Sequence, residues 1–453
     1  MAVVEVNGYT IEPEANLEGA NLSGANLKGA SLFGANLKGA NLGGANLEGA
    51  NIHDTNLRRA DLSGADLRST ALSNADLRAA NLEGANLSGA NLDRADLRHS
   101  NLAQADSPRA WFAEVSLYKA NLKEANFEGS NLWRANLKEA NFEGANLKEA
   151  NFEGANFEGA NLKGANLKGA NLEGANLKEA NLKEANLEGV NLEEADLTGA
   201  YLDGVNLEGA NLGRVRLDGA IFEGARLDGA NFSGAASFGR SVSFNRSHLG
   251  PGTDFTMADL RGGASFNEAY STAVNLRAVR ISNSDFSQAA FYDANFSGAH
   301  LSGANFTESY LTGADFTGAD LNSANLIEAN LTGADLAGAD LAWADLTGAD
   351  LAWADLARAN LARANLDGVN FEGASIKGVN FEGASIKGAN FKGADLVGFT
   401  TQAERPNFEG ANLEGADLRG VNLEWANLEG ARANDDTIWP EGFDPVAAGV
   451  IFD

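Results

Sequence analysis

The chain has 453 residues, no Cys, 53 Gly, 6 Pro and 4 His, and its 62 acidic against 34 basic side chains give a formal charge of −28. The absence of Cys excludes a disulfide framework, a thiolate metal site and a cysteine nucleophile, and His53, His99, His248 and His300 are too scattered for a zinc site or a triad. An acidic surface of this size repels free nucleic acid and anionic membranes, so neither is an expected ligand, and basic protein partners are favoured.

Residues 1–14 place a charged or polar group every few positions, which fits neither a signal peptide nor an anchor, and Val3 to Ile11 read as an N-terminal cap. No later stretch reaches the roughly 18 apolar residues of a transmembrane helix, so a cytoplasmic location is expected. From Ala15 the chain falls into five-residue words such as Ala15-Asn16-Leu17-Glu18-Gly19. Their Leu or Phe centres recur every five residues from Leu17 to Phe232, a regular solenoid over 15–234 in which only Ser107 breaks the apolar pattern. A helix returns its apolar face near every 3.6 residues and a strand every 2, so neither accounts for this period. The unit is therefore a turn. Ala two positions before the centre shares its face of an extended segment, so both point inward, and the polar pair that follows, often ending in Gly, forms the corner. Four such words close a square, and stacked squares pair their backbones at about 4.8 Å per coil.

Over 235–265 the centres Phe238, Phe244, Leu249, Phe255, Leu260 and Phe266 are spaced by five or six, which places single-residue insertions there. Bulged corners in a continuing coil explain them, with a hinge as the alternative. Regular words fill 266–398, residues 399–406 read as a surface loop, and the final coils occupy 407–438. The tail 439–453, with Trp439, Phe443, Val446, Val450 and Ile451 interrupted by Pro440 and Pro445, reads as a C-terminal cap or, alternatively, as a dimer contact. The whole is expected to be one continuous rod of about 21 coils, roughly 100 Å long.

From residue 15 to about 438 the words resemble those of the pentapeptide-repeat family: Ala, Ser, Thr or Val, then Asp or Asn, then Leu or Phe, a polar residue and Gly. The resemblance implies an all-β fold, a right-handed quadrilateral β-helix. It also implies that acidic rods of the family which protect or inhibit DNA gyrase imitate the duplex. This tail lacks the amphipathic helix with which those proteins dimerise.

Function on such a coil falls to the residue before each centre and the two after it. From Glu124 to Glu188 these mix Lys and Glu, a solvated surface. Residues 281–357 contain no Lys or Arg, while Asp315, Asp320, Asp335, Asp340, Asp345, Asp350 and Asp355 belong to a run of eleven acids there. That is one charge per roughly 1.7 Å of axis, close to duplex DNA. Asp before a centre also has a plain structural use, satisfying local backbone donors as Asn does elsewhere. A second pattern is basic: Lys38, Arg58, Arg78 and Arg98 are twenty residues apart and would stack in one column, with Tyr118 and Lys138 continuing it, an anion ladder or a coincidence. Trp111, Trp133, Trp343, Trp353 and Trp425 occupy outward slots because a Leu-sized core slot excludes indole. Thr312 and Thr332 share a column interrupted by Tyr292 and Ala352, so no ice-binding threonine ladder forms. No cofactor, metal or catalytic site is read. The expectation is a non-enzymatic scaffold with protein partners, and the alternative is a DNA-mimicking rod occupying a basic groove.

Overall fold

Each five-residue word brings five backbone N–H groups, and where Asn or Asp precedes the centre the structure can find an acceptor for all five. Around Leu37, the Asn36 N–H donates to Ala15 C=O of the preceding coil at 2.9 Å, while Leu37 and Gly39 donate to Asn56 and Arg58 C=O of the next coil at 2.7 and 2.8 Å. Ala40 N–H closes a turn onto Leu37 C=O at 3.0 Å. The fifth donor, Lys38 N–H, goes to the side-chain Oδ1 of Asn36 at 3.3 Å. Buried or half-buried backbone groups left unpaired would each cost about 1–3 kcal/mol, so the Asn or Asp before the centre completes the account.

This computed structural model describes residues 4–396 and 405–452, and its packing divides into two compact units, Met1–Ala225 and Arg226–Asp453, each described by itself. In both, parallel bridges join residues twenty apart, such as Asn36 with Asn56 and Asn305 with Asn325, so four words make a coil with four sides. Among the described residues there is no helix, and none is therefore long and apolar enough to cross a membrane.

The two inward positions make the core. Ala35 and Leu37 are fully buried, as are the equivalent pairs along both units. Burying one Leu or Phe is worth about 1.5–3 kcal/mol, and only stacking supplies the neighbours that bury it. In the second unit phenylalanines stack face to face from coil to coil, with Phe266–Phe286 centroids 5.0 Å apart and Phe296–Phe316 4.7 Å apart. Ser107 fills a centre slot with its hydroxyl buried and unpaired. Two further polar centres are satisfied instead: Ser237, which takes the slot expected of the 61% exposed Phe238, donates its hydroxyl to Arg240 C=O at 2.7 Å, and Ser271 donates to Leu249 C=O at 2.7 Å and accepts from Val274 N–H at 3.2 Å.

Corners need positive φ, and glycine is only its cheapest holder. Gly39 has φ 64°, but Glu139 (57°), Trp343 (63°) and Trp353 (61°) hold the same conformation. The coil imposes it at a cost of roughly 1–2 kcal/mol for a side chain.

In the first unit β1 (Val4–Val6) and β2 (Tyr9–Ile11) form an antiparallel hairpin. Its loop residues Asn7 and Gly8 both have positive φ, as a two-residue hairpin turn of matching twist requires. The hairpin covers part of the first coil: Asn21 N–H donates to the Tyr9 hydroxyl and Asn7 Nδ2 donates to Asn21 C=O, both at 3.3 Å.

In the second unit the inserted residues stretch the coil. Arg226 pairs with His248 and Asn231 with Asp254, two and three residues beyond the usual twenty, and the regular step is restored at Ser265–Asp285. Gly262 allows one tight corner, where its N–H meets Ser237 C=O at 2.8 Å and a Cβ would come within 3.1 Å of Ser237 and Arg240 oxygens. The stretching also lengthens strands: β3 (Val242–Ser243) pairs with β5 (Ala264–Ser265), and β4 (His248–Leu249), β6 (Tyr270–Thr272) and β7 (Ala290–Tyr292) form a three-stranded parallel sheet. Further on, Asn380 pairs with Asn407, which leaves seven extra residues between coils. The loop expected at 399–406 lies, up to residue 404, outside the described residues. At the end, β8 (Arg432–Ala433) pairs in parallel with β9 (Ile451–Phe452).

Candidate interaction surfaces

The acidic stretch is built on the same backbone account. Asp315, Asp335 and Asp355 each accept the N–H two residues on, at 2.8, 2.9 and 2.9 Å, and Asp320, Asp340, Asp345 and Asp350 do the same at 3.0–3.1 Å. The structural use of Asp is thus real at every position, and it engages one carboxylate oxygen. Asp335, Asp340, Asp345 and Asp350 stand on four successive sides, and Asp315, Asp335 and Asp355 are bridged in one column. The stretch is therefore charged all round.

The basic column exists as well, but its charges are spent within the chain. Lys38 Nζ pairs with Glu18 at 2.8 Å, and Arg58 lies 3.9 Å from Asp76. Arg78 and Arg98 each fork onto the carboxylate two residues before them, Asp76 (2.5 and 2.7 Å) and Asp96 (2.6 and 2.8 Å). Partial burial pushes the Asp76 carboxyl up, but the bonds from Arg78 outweigh it and hold the group below the usual carboxylate range. An external anion would have to compete with Glu18, Asp76 and Asp96 for these four cations. Lys138, further along, is likewise paired with Glu158 at 2.9 Å.

At the C-terminal end Trp439 and Phe443 stack on each other with centroids 5.5 Å apart, half-buried, and Val450 is buried. Val446 and Ile451, grouped with them in the expected cap, stand 69% and 53% exposed, so the tail covers the end only in part. The outward tryptophans lie on the surface and are mostly engaged by their own chain. Arg363 sits 4.9 Å over Trp343, Arg134 4.3 Å over Trp133 and Arg405 5.0 Å over Trp425, while the Trp353 ring lies against Gly373, where a Cβ would meet it at 2.6 Å.

With this geometry in hand, comparison with known proteins decides the family. A model of pentapeptide repeats, in its eight-copy form, matches residues 14–49, 30–70, 70–106, 120–159, 160–199, 195–234, 289–326, 324–363, 364–400 and 402–432. The chain belongs to the pentapeptide-repeat family. Its fold is accordingly the right-handed quadrilateral β-helix. No curated protein matches the sequence. Among solved structures, it is similar to HetL, a pentapeptide repeat protein involved in heterocyst differentiation regulation from the cyanobacterium Nostoc, at 36% identity over 43% of this chain and 88% of that one, with a TM-score of 0.43. It is also similar to QnrB1, a plasmid-mediated fluoroquinolone resistance protein (23% identity, 46% of this chain, 89% of that one, TM-score 0.20), and to Rfr23 from the cyanobacterium Cyanothece (29%, 28%, 90%, 0.13).

The matched segments leave out 235–288 of this pentapeptide-repeat protein, and there the structure shows what the sequence reading missed. His248 and Tyr270 occupy the column position that Asn or Asp holds elsewhere, and Tyr310 continues it one regular coil beyond Ala290. Tyr292 joins them from the neighbouring outward position. Ring centroids run 5.3, 6.3 and 6.5 Å apart from His248 through Tyr270 and Tyr292 to Tyr310. The signal was the replacement of Asn by aromatic residues, but the insertions shift the column away from twenty-residue arithmetic.

Proposed function

We propose that this pentapeptide-repeat protein is a non-enzymatic scaffold that binds protein partners on its outward faces. The carrying observation is the division of labour in each word. Two side chains fill the core, the Asn or Asp completes the backbone bonds, and only the residues flanking the corners are free to differ. Catalysis asks for a water-excluding pocket with convergent groups, and a concavity such as the one lined by His53, Asn74, Asp93 and Trp133 is instead an open surface groove.

A second reading has its own support in the column of Asp315, Asp335 and Asp355. On this reading residues 281–357 imitate duplex charge and occupy a basic DNA groove such as that of a gyrase. One experiment separates the two: affinity capture on the intact chain followed by a wash at about 1 M salt, where the Debye length falls to about 3 Å. A scaffold retains the partners it holds by packed side chains, while partners it holds by a local charge pair wash off but still bind when Asp335, Asp340, Asp345, Asp350 and Asp355 are replaced by Asn. A charge mimic loses them, and replacing Asp335, Asp340, Asp345, Asp350 and Asp355 by Asn abolishes both gyrase binding and any inhibition of supercoiling. Retained inhibition in that variant excludes the mimic, and capture of nothing at low salt excludes both readings.

A further inference from the structure

The three-stranded sheet of β4, β6 and β7 is, among the described residues, the only sheet wider than two strands, and it carries the tyrosine run on its outer side. Tyr270 and Tyr310 are 43% and 50% exposed. Six outward rings elsewhere, those of Tyr118, Trp133, Tyr201, Phe238, Trp343 and Trp425, carry one of the chain's own cations, although among the described residues the exposed Trp111 and Trp353 do not. Among the described residues no cation lies over Tyr270, Tyr292 or Tyr310, and from residue 281 to 357 the sequence has none to offer.

Where the aromatic run ends, a surface groove opens between Tyr310 and Asn330, the next residue of the column, and is bordered by Gln288, Glu308 and Glu328. Gln288 Nε2 donates to Glu308 at 3.1 Å. Glu328 stands one coil further along the same corner column, without an ion pair among the described residues. The groove thus combines a ring and two carboxylates with no cation, the set that recognises a guanidinium or ammonium group.

We propose that this face docks an extended protein segment bearing arginine or lysine, with one cationic side chain seated against Tyr310 between Glu308 and Glu328. Charge complementarity selects this occupant over nucleic acid, which the eleven acids of 281–357 repel. It is also favoured over a neutral saccharide, which would leave the charges of Glu308 and Glu328 without a counter-charge in the groove. The proposal rests on the scaffold reading and specifies its surface and the chemistry of its partner.

The test uses the full chain and a fluorescent decapeptide of alternating Arg and Ser, followed by anisotropy at about 150 mM salt. Glu308→Gln with Glu328→Gln, and separately Tyr310→Asn, are each expected to weaken binding by about tenfold or more. Asn already occupies the Tyr310 column at 330, so the fold is kept. The control Asp335→Asn with Asp355→Asn removes the same number of charges from another side and should change binding less than about twofold. An equal loss in the control would reduce the effect to bulk charge and overturn the proposal. So would a peptide that does not bind, or a neutral hexasaccharide that binds in a Tyr310-dependent way. A partner retained through the high-salt wash but indifferent to these substitutions would refute this surface while leaving the scaffold intact.

Discussion

Two columns of this β-helix do the same backbone task with different side chains. In the first unit Asn121, Asn141, Asn161 and Asn181 form an amide ladder, each Nδ2 donating to the Oδ1 one coil before at 3.2, 2.9 and 3.1 Å for the last three. In the second unit Asp315, Asp335 and Asp355 make the same bond to the local backbone but have no donor to pass along the column. Like charges about 5 Å apart add a repulsion of about 0.8 kcal/mol per pair in a water-like dielectric, and less in salt. Around the Asn ladder the corner residues add cross-coil pairs, Lys123–Glu143 at 3.4 Å and Lys168–Glu188 at 2.8 Å. Among the described residues the acids of 281–357 form no cross-coil ion pair of this kind, although Lys377 feels the charge of Asp355. Asp therefore serves the fold as well as Asn inside one word and worse between words, so the acidic stretch forgoes stability that a single amide per coil would supply.

The largest expected effect follows from counting bonds at one site in each column. Asn141 accepts from Glu143 N–H at 3.2 Å and from Asn161, and donates to Asn121. Asn141→Ala removes three bonds and should cost about 3 kcal/mol, whereas Asp335→Ala removes one and should cost about 1 kcal/mol. Denaturant unfolding of the two variants side by side measures the gap, and equal losses would mean that the ladder adds nothing.

A smaller effect of opposite sign is expected from Asp335→Asn. The new amide would reach Asp315 as Asn360 reaches Asp340, at 2.9 Å, and two like-charge contacts would disappear. A gain of about 1–2 kcal/mol at low ionic strength, shrinking as salt is added, is the expected result. A loss of stability would show that the carboxylate at 335 carries an unrecognised structural bond.

How far the sequence foretold these columns depends on which bonds repeat with it. The period, the inward Ala–Leu pair and the corner were legible because each recurs in every word, and the Asn or Asp role was legible because its bond spans only two residues. The column of Lys38, Arg58, Arg78 and Arg98 was also placed by arithmetic, but its chemistry was not. Arg78 folds back onto Asp76 because residues two apart lie on the same side of an extended segment, a short-range pairing that the twenty-residue spacing of the column does not reveal. The tyrosine face was illegible for a different reason: His248 and Tyr270 are twenty-two apart, so the insertions that create the surface also hide it from a fixed period. The hairpin at Asn7-Gly8 was readable from its turn residues, since Asn-Gly favours the positive φ that both adopt.

The smallest effect asks what happens when an Asp in the column position does have a cation. Arg68 forks onto Asp66 with bonds of 2.8 and 2.6 Å, and this pairing, opposed by partial burial, holds the Asp66 carboxyl below its usual range. A depressed folded value means that the unfolded chain binds the proton more readily. The pair's contribution is therefore complete above the unfolded value near pH 4 and is lost as the pH falls through the lower folded value. Both side chains are partly in water, at 47% for Arg68 and 28% for Asp66, so the contribution is small. Asp66→Asn should lower the melting temperature by no more than about 1–2 °C at neutral pH, and the difference from the parent chain should shrink as the pH falls below the unfolded value near 4. Asp335→Asn, which has no cation to lose, should raise the melting temperature at neutral pH instead. If both substitutions shift it in the same direction at neutral pH, the presence or absence of a cation is not what distinguishes the two acidic positions.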